Sequence, residues 1–190
     1  MIIRKATIDD AIAITDHLFI AMDKILYDFI GQNDSEVAKK FLLHFVKETQ
    51  NQYSWQNCFV GEYNNKVISA INIYDGANLE ILRAPIIKFV RRNYNEYFNP
   101  EDETQSGEYY LDSFGVDADF RGRGFGRLML ENAIRIYVVE GGKTLGLLVD
   151  VENPNAKKLY NKIGFKPVGW KTLAGKTLEH LQITSNPIER

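Results

Sequence analysis

Cysteine is nearly absent: Cys58 is the single thiol among 190 residues. One thiol closes no intramolecular disulfide and builds no cysteine-based zinc site. The three histidines, His17, His44 and His180, are scattered along the chain, so no metal is expected. No run approaches the 18 apolar residues of a membrane-spanning helix. The opening M-I-I-R-K-A-T lacks the basic and apolar regions of a secretion signal. The expected address is therefore cytoplasmic, with no membrane partner. Excess charge of one sign is also missing: 23 Lys and Arg stand against 25 Asp and Glu. A chain so balanced has no overall field for gripping nucleic acid, and no nucleic-acid partner is expected. Glycine and proline, 14 and 5 residues, are too few for a collagenous or low-complexity chain.

The remainder is an ordinary globular mixture, 45% hydrophobic and 25% charged. Its length fits one domain over 1–190, large enough to bury a core without a covalent staple. Ile2 and Ile3 open a short strand. Thr7, with Asp10 three residues on, reads as a helix start, and Ala11, Ile14, Leu18, Met22 and Ile25 follow at helical spacing. Asp34 or Ser35 caps a second helix carrying Ala38, Phe41, Leu42, Phe45 and Val46 on one face. Two β-rich runs around Asn64-Asn65 read as a hairpin. Within 75–107 the spacing of Ile86, Phe89, Val90, Tyr94, Tyr97 and Phe98 predicts a helix that starts after Pro85, and Glu101-Asp102-Glu103 reads as an acidic loop tip.

The second half is more regular. E-Y-Y-L-D-S-F-G-V is a strand, followed by the turn R-G-R-G-F-G and a helix whose apolar face is Leu128, Met129, Ala133, Ile136 and Tyr137. Gly141-Gly142 stop that helix, and T-L-G-L-L-V-D-V is a buried strand. Asn153 caps a short helix with Pro154 at its first position. Two strands around Ala174-Gly175 complete the chain. Alternating helices and strands in one unit predict an α/β fold of α+β type.

The most informative segment is Val116–Gly126, at a strand-to-helix junction. Glycines there let backbone amides converge on an anion at a helix N-terminus, and Arg121, Arg123 and Arg127 add positive charge. A diphosphate site is one reading, and a plain glycine turn with solvated arginines is the other. The dinucleotide pattern G-x-G-x-x-G fails, because Arg127 or Met129 occupies its third glycine. A nucleotide P-loop fails at Gly142-Lys143-Thr144 and Gly175-Lys176-Thr177, where Tyr137 and Trp170 replace the first glycine.

R-G-R-G-F-G resembles the [QR]-x-x-G-x-[GA] acyl-CoA signature of the GNAT acetyltransferase superfamily. N-P-N-A-K-K-L-Y-N-K-I-G-F, residues 153–165, resembles the family's N-x-x-A-x-x-L-Y-x-x-x-G-F segment. The resemblance covers about residues 105–170, and residues 1–74 fit the family only as a pattern of elements. It implies a mixed, mostly antiparallel, splayed sheet flanked by helices, with acetyl-CoA as co-substrate wedged between two parting strands. It implies that Phe114, Gly115 and Val116 line the pantetheine arm, with the Val116 amide as an oxyanion donor. It implies that the amides of Arg121, Gly122, Arg123, Gly124, Phe125 and Gly126 bind the pyrophosphate, and that Asn153 touches the arm.

Tyr160 matches the family's general-acid position, where a phenol with a reference pKa near 10 can protonate a departing thiolate. The alternative is a core aromatic on an amphipathic helix. Asp112 is the candidate base, because strand alternation puts it on one face with Tyr110, Phe114 and Val116. A solvated strand carboxylate is its alternative, and Glu108, Asp150 and Glu152 are further candidates. Relatives that acetylate ribosomal-protein N-termini resemble L-E-V-R-x-S-N before the cap asparagine. Here Leu148 replaces their glutamate, which counts against a protein N-terminus.

Residues 75–107 form a helical insertion of 33 residues between the third and fourth strands. So long a connection is expected to serve as a lid or binding element, with aromatics lining an acceptor pocket or packing on the core, and with the acidic tip drawing in a cation. The expected activity is acetyl transfer to a primary amine of a small molecule. A peptide acceptor and a non-catalytic CoA-binding sensor are the rivals. No surface declares an interface, so a homodimer stays open.

Overall fold

The computed structural model of the protein describes residues 1–185, so the last five residues of the expected 1–190 domain lie outside the described part. Seven strands form one sheet: β1 (Ile2–Lys5), β2 (Cys58–Tyr63), β3 (Lys66–Asp75), β4 (Tyr109–Val116), β5 (Leu145–Asp150), β6 (Lys166–Leu173) and β7 (Lys176–Ile183). Their order is β1-β2-β3-β4-β5-β7-β6. Every neighbouring pair is antiparallel except β4 and β5, which run parallel. This is the mixed, mostly antiparallel sheet that the sequence implies.

The helices are α1 (Ala11–Ile30), α2 (Ser35–Lys47), α3 (Leu79–Asn93), α4 (Phe125–Ala133) and α5 (Pro154–Lys162). Beyond Ala133, α4 continues in wider π geometry over Ile134–Glu140. Asp34 caps α2, its Oδ1 accepting from the Glu36 and Val37 amides at 2.9 and 3.1 Å. The Asp10 carboxylate accepts from the Thr7 amide at 2.8 Å and is gripped by both Arg4 terminal nitrogens at 2.7 and 2.8 Å. The Asn64-Asn65 and Ala174-Gly175 turns have both central residues at positive φ, the geometry that matches strand twist in a two-residue hairpin.

Apolar side chains form a layer on each face of the sheet. Ile14, Leu18, Leu26, Phe41 and Phe45 of α1 and α2 pack with Val60 and Ala70 on one face. Met129, Leu130 and Ala133 of α4 pack with Ile71, Ile73, Leu111 and Leu145 on the other. Leu128, expected on the buried face of α4, is 46% exposed. Gly115 is required where α1 crosses β4: a Cβ there would stand 1.8 Å from the His17 carbonyl oxygen.

The insertion departs from its expected form in three ways. First, α3 begins at Leu79 and runs through Pro85, rather than starting after it. Proline withholds its N–H from the carbonyl of Ile81, a residue that is 70% exposed and so within reach of water. Burial of Leu79 and Arg83 fixes the first turn. Second, the aromatics face the helical layer. Phe89 packs on Phe41, His44 and Phe45, Phe98 packs on Phe29 with ring centres 4.6 Å apart, and Tyr97 lies exposed. Third, the acidic tip is anchored. Glu103 is buried, Asp102 pairs with Arg83 at 3.0 Å, and the Glu101 carboxylate accepts from the Ala174 amide at 3.2 Å.

Candidate active site

β4 and β5 pair only through Tyr109–Leu145, Tyr110–Gly146 and Leu111–Leu147, and then part. The gap opens a cavity of about 640 Å³. Its walls are residues 110–114 of β4, residues 147–150 of β5, the inner face of α5, the C-terminal half of α1 and the β6–β7 turn. No residue of 75–107 lines it, so the insertion is not its lid.

The parting leaves backbone groups of β4 without a strand partner. The Asp117 amide donates to the Ile68 carbonyl at 2.8 Å, and the register pairs Val116 with Ser69 and Phe114 with Ile71. Antiparallel alternation then turns the Gly115 and Ser113 groups toward β3 and those of Phe114 and Val116 toward the gap. The Val116 carbonyl accepts from Arg121 Nε at 3.1 Å, which leaves its amide directed into the opening.

A bulge then alters the expected placement of Asp112. Asn72 pairs with Ser113 while Ile73 pairs with Leu111, so Asp112 is the extra residue of β4. Side-chain parity flips across it. Leu111 and Phe114 both join the α4 face, whereas Tyr110 packs with Tyr74 on the opposite face. Asp112 goes with Tyr110 and does not share a face with Phe114 and Val116. Strict alternation fails here because one strand carries a residue that the other does not.

The glycine-rich turn lies at the open end of β4. Gly122 and Gly124 adopt φ of 73° and 85°, the left-handed region that favours glycine, and Gly124 caps α4. Among the described residues, no hydrogen bond takes up the amides of Gly122, Arg123 and Gly124. The guanidinium groups are engaged locally. Arg121 holds the Val116 carbonyl, Arg127 pairs with Glu131 at 2.7 Å, and Arg123 lies over Tyr63, Phe120 and Phe125 at 5.2–5.7 Å. The free amides gather at the N-terminus of α4, an arrangement that suits an anion, but the Arg121 amide, expected among them, donates to the Ala118 carbonyl at 3.3 Å.

α5 brings two residues to the cavity. Asn153 accepts from the Ala156 amide at 3.1 Å, so its oxygen caps the helix. Tyr160, two turns on, packs its ring edge-on to Phe165 at 5.9 Å and lines the gap. Its hydroxyl makes no hydrogen bond to another described residue. Burial pushes the phenol up to about 12, so it keeps its proton at neutral pH. Tyr160, Asp112, Phe114 and Asn153 thus meet at one cavity, while Gly115, Val116 and the turn 121–126 are not among its lining residues.

Asp112, a carboxylate of the cavity wall, has a raised pKa. Burial pushes it up to about 6, against the Ser113 hydroxyl, the Arg83 charge and the Tyr74 phenol, which favour the ionised form. Tyr74 Oη lies 3.4 Å from Asp112 Oδ1 and donates to Glu103 Oε1 at 2.8 Å. Asp150 is held low, by the Glu152 amide first and Lys176 second, with the Lys176 ammonium 2.9 Å away. Glu152 lies open to solvent. Glu108 is absent from the cavity. It accepts from Thr104 at 2.7 Å and Gln182 at 2.7 Å and meets His180 Nε2 at 2.8 Å, locking β4 to β7 across β5.

Some cavity and supporting residues carry no sequence signal. Asp23, Lys24 and Asp28 of α1 and Lys176 of β7 line the cavity. Arg83, Tyr74 and Gln52 gather behind Asp112 from three distant segments, and nothing in their spacing marks them.

The profile of the family described as "Acetyltransferase (GNAT) family" matches residues 29–165. An N-acetyltransferase from Staphylococcus aureus Mu50 superposes with a TM-score of 0.81 at 22% identity, over 96% of this chain and 100% of that one. A second solved acetyltransferase superposes with a TM-score of 0.77 at 31% identity, over 98% of this chain and 100% of its own. A mycothiol acetyltransferase from Beutenbergia cavernae is 36% identical over 66 residues, 35% of this chain and 22% of that protein. The chain spans about a fifth to a quarter of the length of the curated relatives it matches.

Proposed function

Because the chain belongs to the GNAT family of acetyltransferases, we propose that it transfers acetyl from acetyl-CoA directly to a primary amine of a small molecule. The observation that carries this reading is the parting of β4 and β5 beyond Leu111, with Tyr160 and Asp112 on the two sides of one cavity. The gap suits an extended thioester arm, and the turn with its free amides suits a diphosphate. The thioester supplies the acetyl group.

The residues divide the work. Asp112 accepts a proton from the incoming ammonium, freeing the nitrogen lone pair to attack the thioester carbon. The Val116 amide donates to the carbonyl oxygen as negative charge gathers on it. Tyr160 gives its proton to the sulfur as the C–S bond breaks, and the second proton shed by the attacking nitrogen returns through solvent to the phenoxide, so the products are an amide, a neutral thiol and the one proton carried off by Asp112. Phe114 and Asn153 hold the arm, and the amides of Gly122, Arg123, Gly124, Phe125 and Gly126 hold the pyrophosphate, whereas Gly115 turns its groups toward β3 and the Arg121 amide is taken up by the Ala118 carbonyl.

A cavity of about 640 Å³ falls in the range of small-ligand sites. Asp23, Asp28, Asp112, Asp150 and Glu152 outnumber Lys24 and Lys176 along it, a balance that favours a cationic acceptor. Leu148 leaves an apolar wall where relatives acting on protein N-termini resemble a glutamate. A peptide amine is the second reading, favoured by the insertion leaving the mouth uncovered.

Calorimetric titration of acetyl-CoA, followed by a thiol-release screen over amines, amino sugars, amino acids and peptides, tests the proposal. Binding with release for a small amine supports it. Release for peptides alone selects the second reading. Binding without release for any acceptor points to a CoA sensor, and no binding refutes the site.

A further inference from the structure

The insertion leaves the cavity open, yet it delivers two charges behind the cavity wall. Arg83 of α3 is buried, 5% exposed, and pairs with Glu103, which is also 5% exposed. Glu103 Oε1 accepts from Tyr74 Oη at 2.8 Å and from Gln52 Nε2 at 3.2 Å. The same phenol oxygen stands 3.4 Å from Asp112 Oδ1. Two carboxylates thus compete for one hydroxyl proton, and their oxygens lie within about 6.2 Å of each other. Burial holds the Tyr74 phenol well above its ordinary pKa, so it remains a donor.

We propose that Glu103 and Arg83 are positioning residues for Asp112, acting through the Tyr74 hydroxyl. The proposal rests on the reading of Asp112 as the proton acceptor. Its physical content is a charge balance: one buried guanidinium serves Glu103 and Asp112, while its outer edge pairs with the exposed Asp102 at 3.0 Å. While Glu103 engages Arg83, the guanidinium neutralises Asp112 only in part, and Asp112 stays basic enough to take a proton from an ammonium. The other groups around Asp112 are the phenols of Tyr53 and Tyr110 and the Cys58 thiol, all held in their neutral forms by burial. Across the open cavity, α1 presents Asp23, Lys24 and Asp28, and β7 presents Lys176 already paired with Asp150.

Two substitutions move Asp112 in opposite directions. Glu103→Gln removes a like charge, frees Tyr74 to donate to Asp112 and leaves Arg83 facing it. The pKa of Asp112 should fall by about one to two units. Tyr74→Phe removes a donor to the carboxylate, and the pKa should rise. The experiment is carboxyl-carbon NMR titration of the full chain labelled at aspartate, with Asp112→Asn assigning the signal, beside pH profiles of thiol release. Opposite shifts of the Asp112 signal in the two variants support the proposal. An Asp112 signal that titrates unchanged in both overturns it. If the signal shifts as expected but the acidic limb of the rate does not follow, the positioning stands and the base reading fails. Should Glu103→Gln fail to fold, the upward shift in Tyr74→Phe decides, because a purely structural phenol would leave that titration in place.

Discussion

Tyr160→Phe separates chemistry from packing. The substitution removes one oxygen and keeps the ring that packs edge-on to Phe165 at 5.9 Å. No hydrogen bond to a described residue is lost, so the stability change should stay within about 0.5 kcal/mol. At roughly 2–4 °C per kcal/mol for a chain of this size, Tm should move by no more than about 2 °C. Turnover should fall by roughly 10²–10⁴-fold, the usual size of a general-acid contribution, or about 3–5 kcal/mol of barrier. Thiol release at saturating acceptor gives the turnover, and calorimetry gives the acetyl-CoA affinity, which should hold within about threefold. The pH profile is a further check. Burial places the phenol near 12, so Tyr160 keeps its proton through the usual assay range and contributes no basic limb there. A basic limb near pH 8–9 that vanishes in the variant would refute that placement. Undiminished turnover would remove Tyr160 from the mechanism, and an affinity loss matching the rate loss would make it a packing residue.

Other perturbations report on the rest of the site. Gly124→Glu forces a side chain onto φ of 85° and sets a carboxylate among the free amides of the turn, so calorimetry should show acetyl-CoA binding abolished. Gly115→Ala places a Cβ 1.8 Å from the His17 carbonyl, so α1 and β4 must separate by more than an ångström. The cost should reach the upper end of overpacking, about 3 kcal/mol, and calorimetric Tm should drop by roughly 6–12 °C. Asp112→Asn should abolish an acidic limb in the thiol-release profile. Wild-type activity should rise with pH through about 6 if the carboxylate must be ionised to accept a proton. For Glu108, burial pushes the pKa up, but hydrogen bonds from His180, Gln182 and Thr104 outweigh it and hold the folded value low. Its contribution to stability is therefore complete above the unfolded value of about 4.3 and is lost as pH falls through the folded one. Urea midpoints of Glu108→Gln should fall less steeply than wild type in that window.

Local patterns were legible because their causes are local. The Asn64-Asn65 and Ala174-Gly175 turns, the Asp34 and Asn153 caps and the left-handed Gly122 and Gly124 each depend on a few neighbouring residues. The α3 boundary was missed because Pro85 marks a break on propensity alone, whereas burial of Leu79 and Arg83 carries the helix through it. The aromatics of 86–98 show helical spacing, but spacing does not say which neighbour covers them, and they cover α1 and α2.

The sequence by itself determined the order of elements, the glycine turn with its left-handed Gly122 and Gly124, the helix that carries Tyr160 and the membership that their two motifs declare. Tertiary structure decided how Asp112 meets the cavity. A single extra residue in β4 turned Asp112 away from Phe114 and toward Tyr74. The chain then closed on itself to bring Arg83 and Glu103, 29 and 9 positions before it, behind that carboxylate. Strand register and the meeting of distant charges follow from how whole layers pack, and no local spacing encodes them.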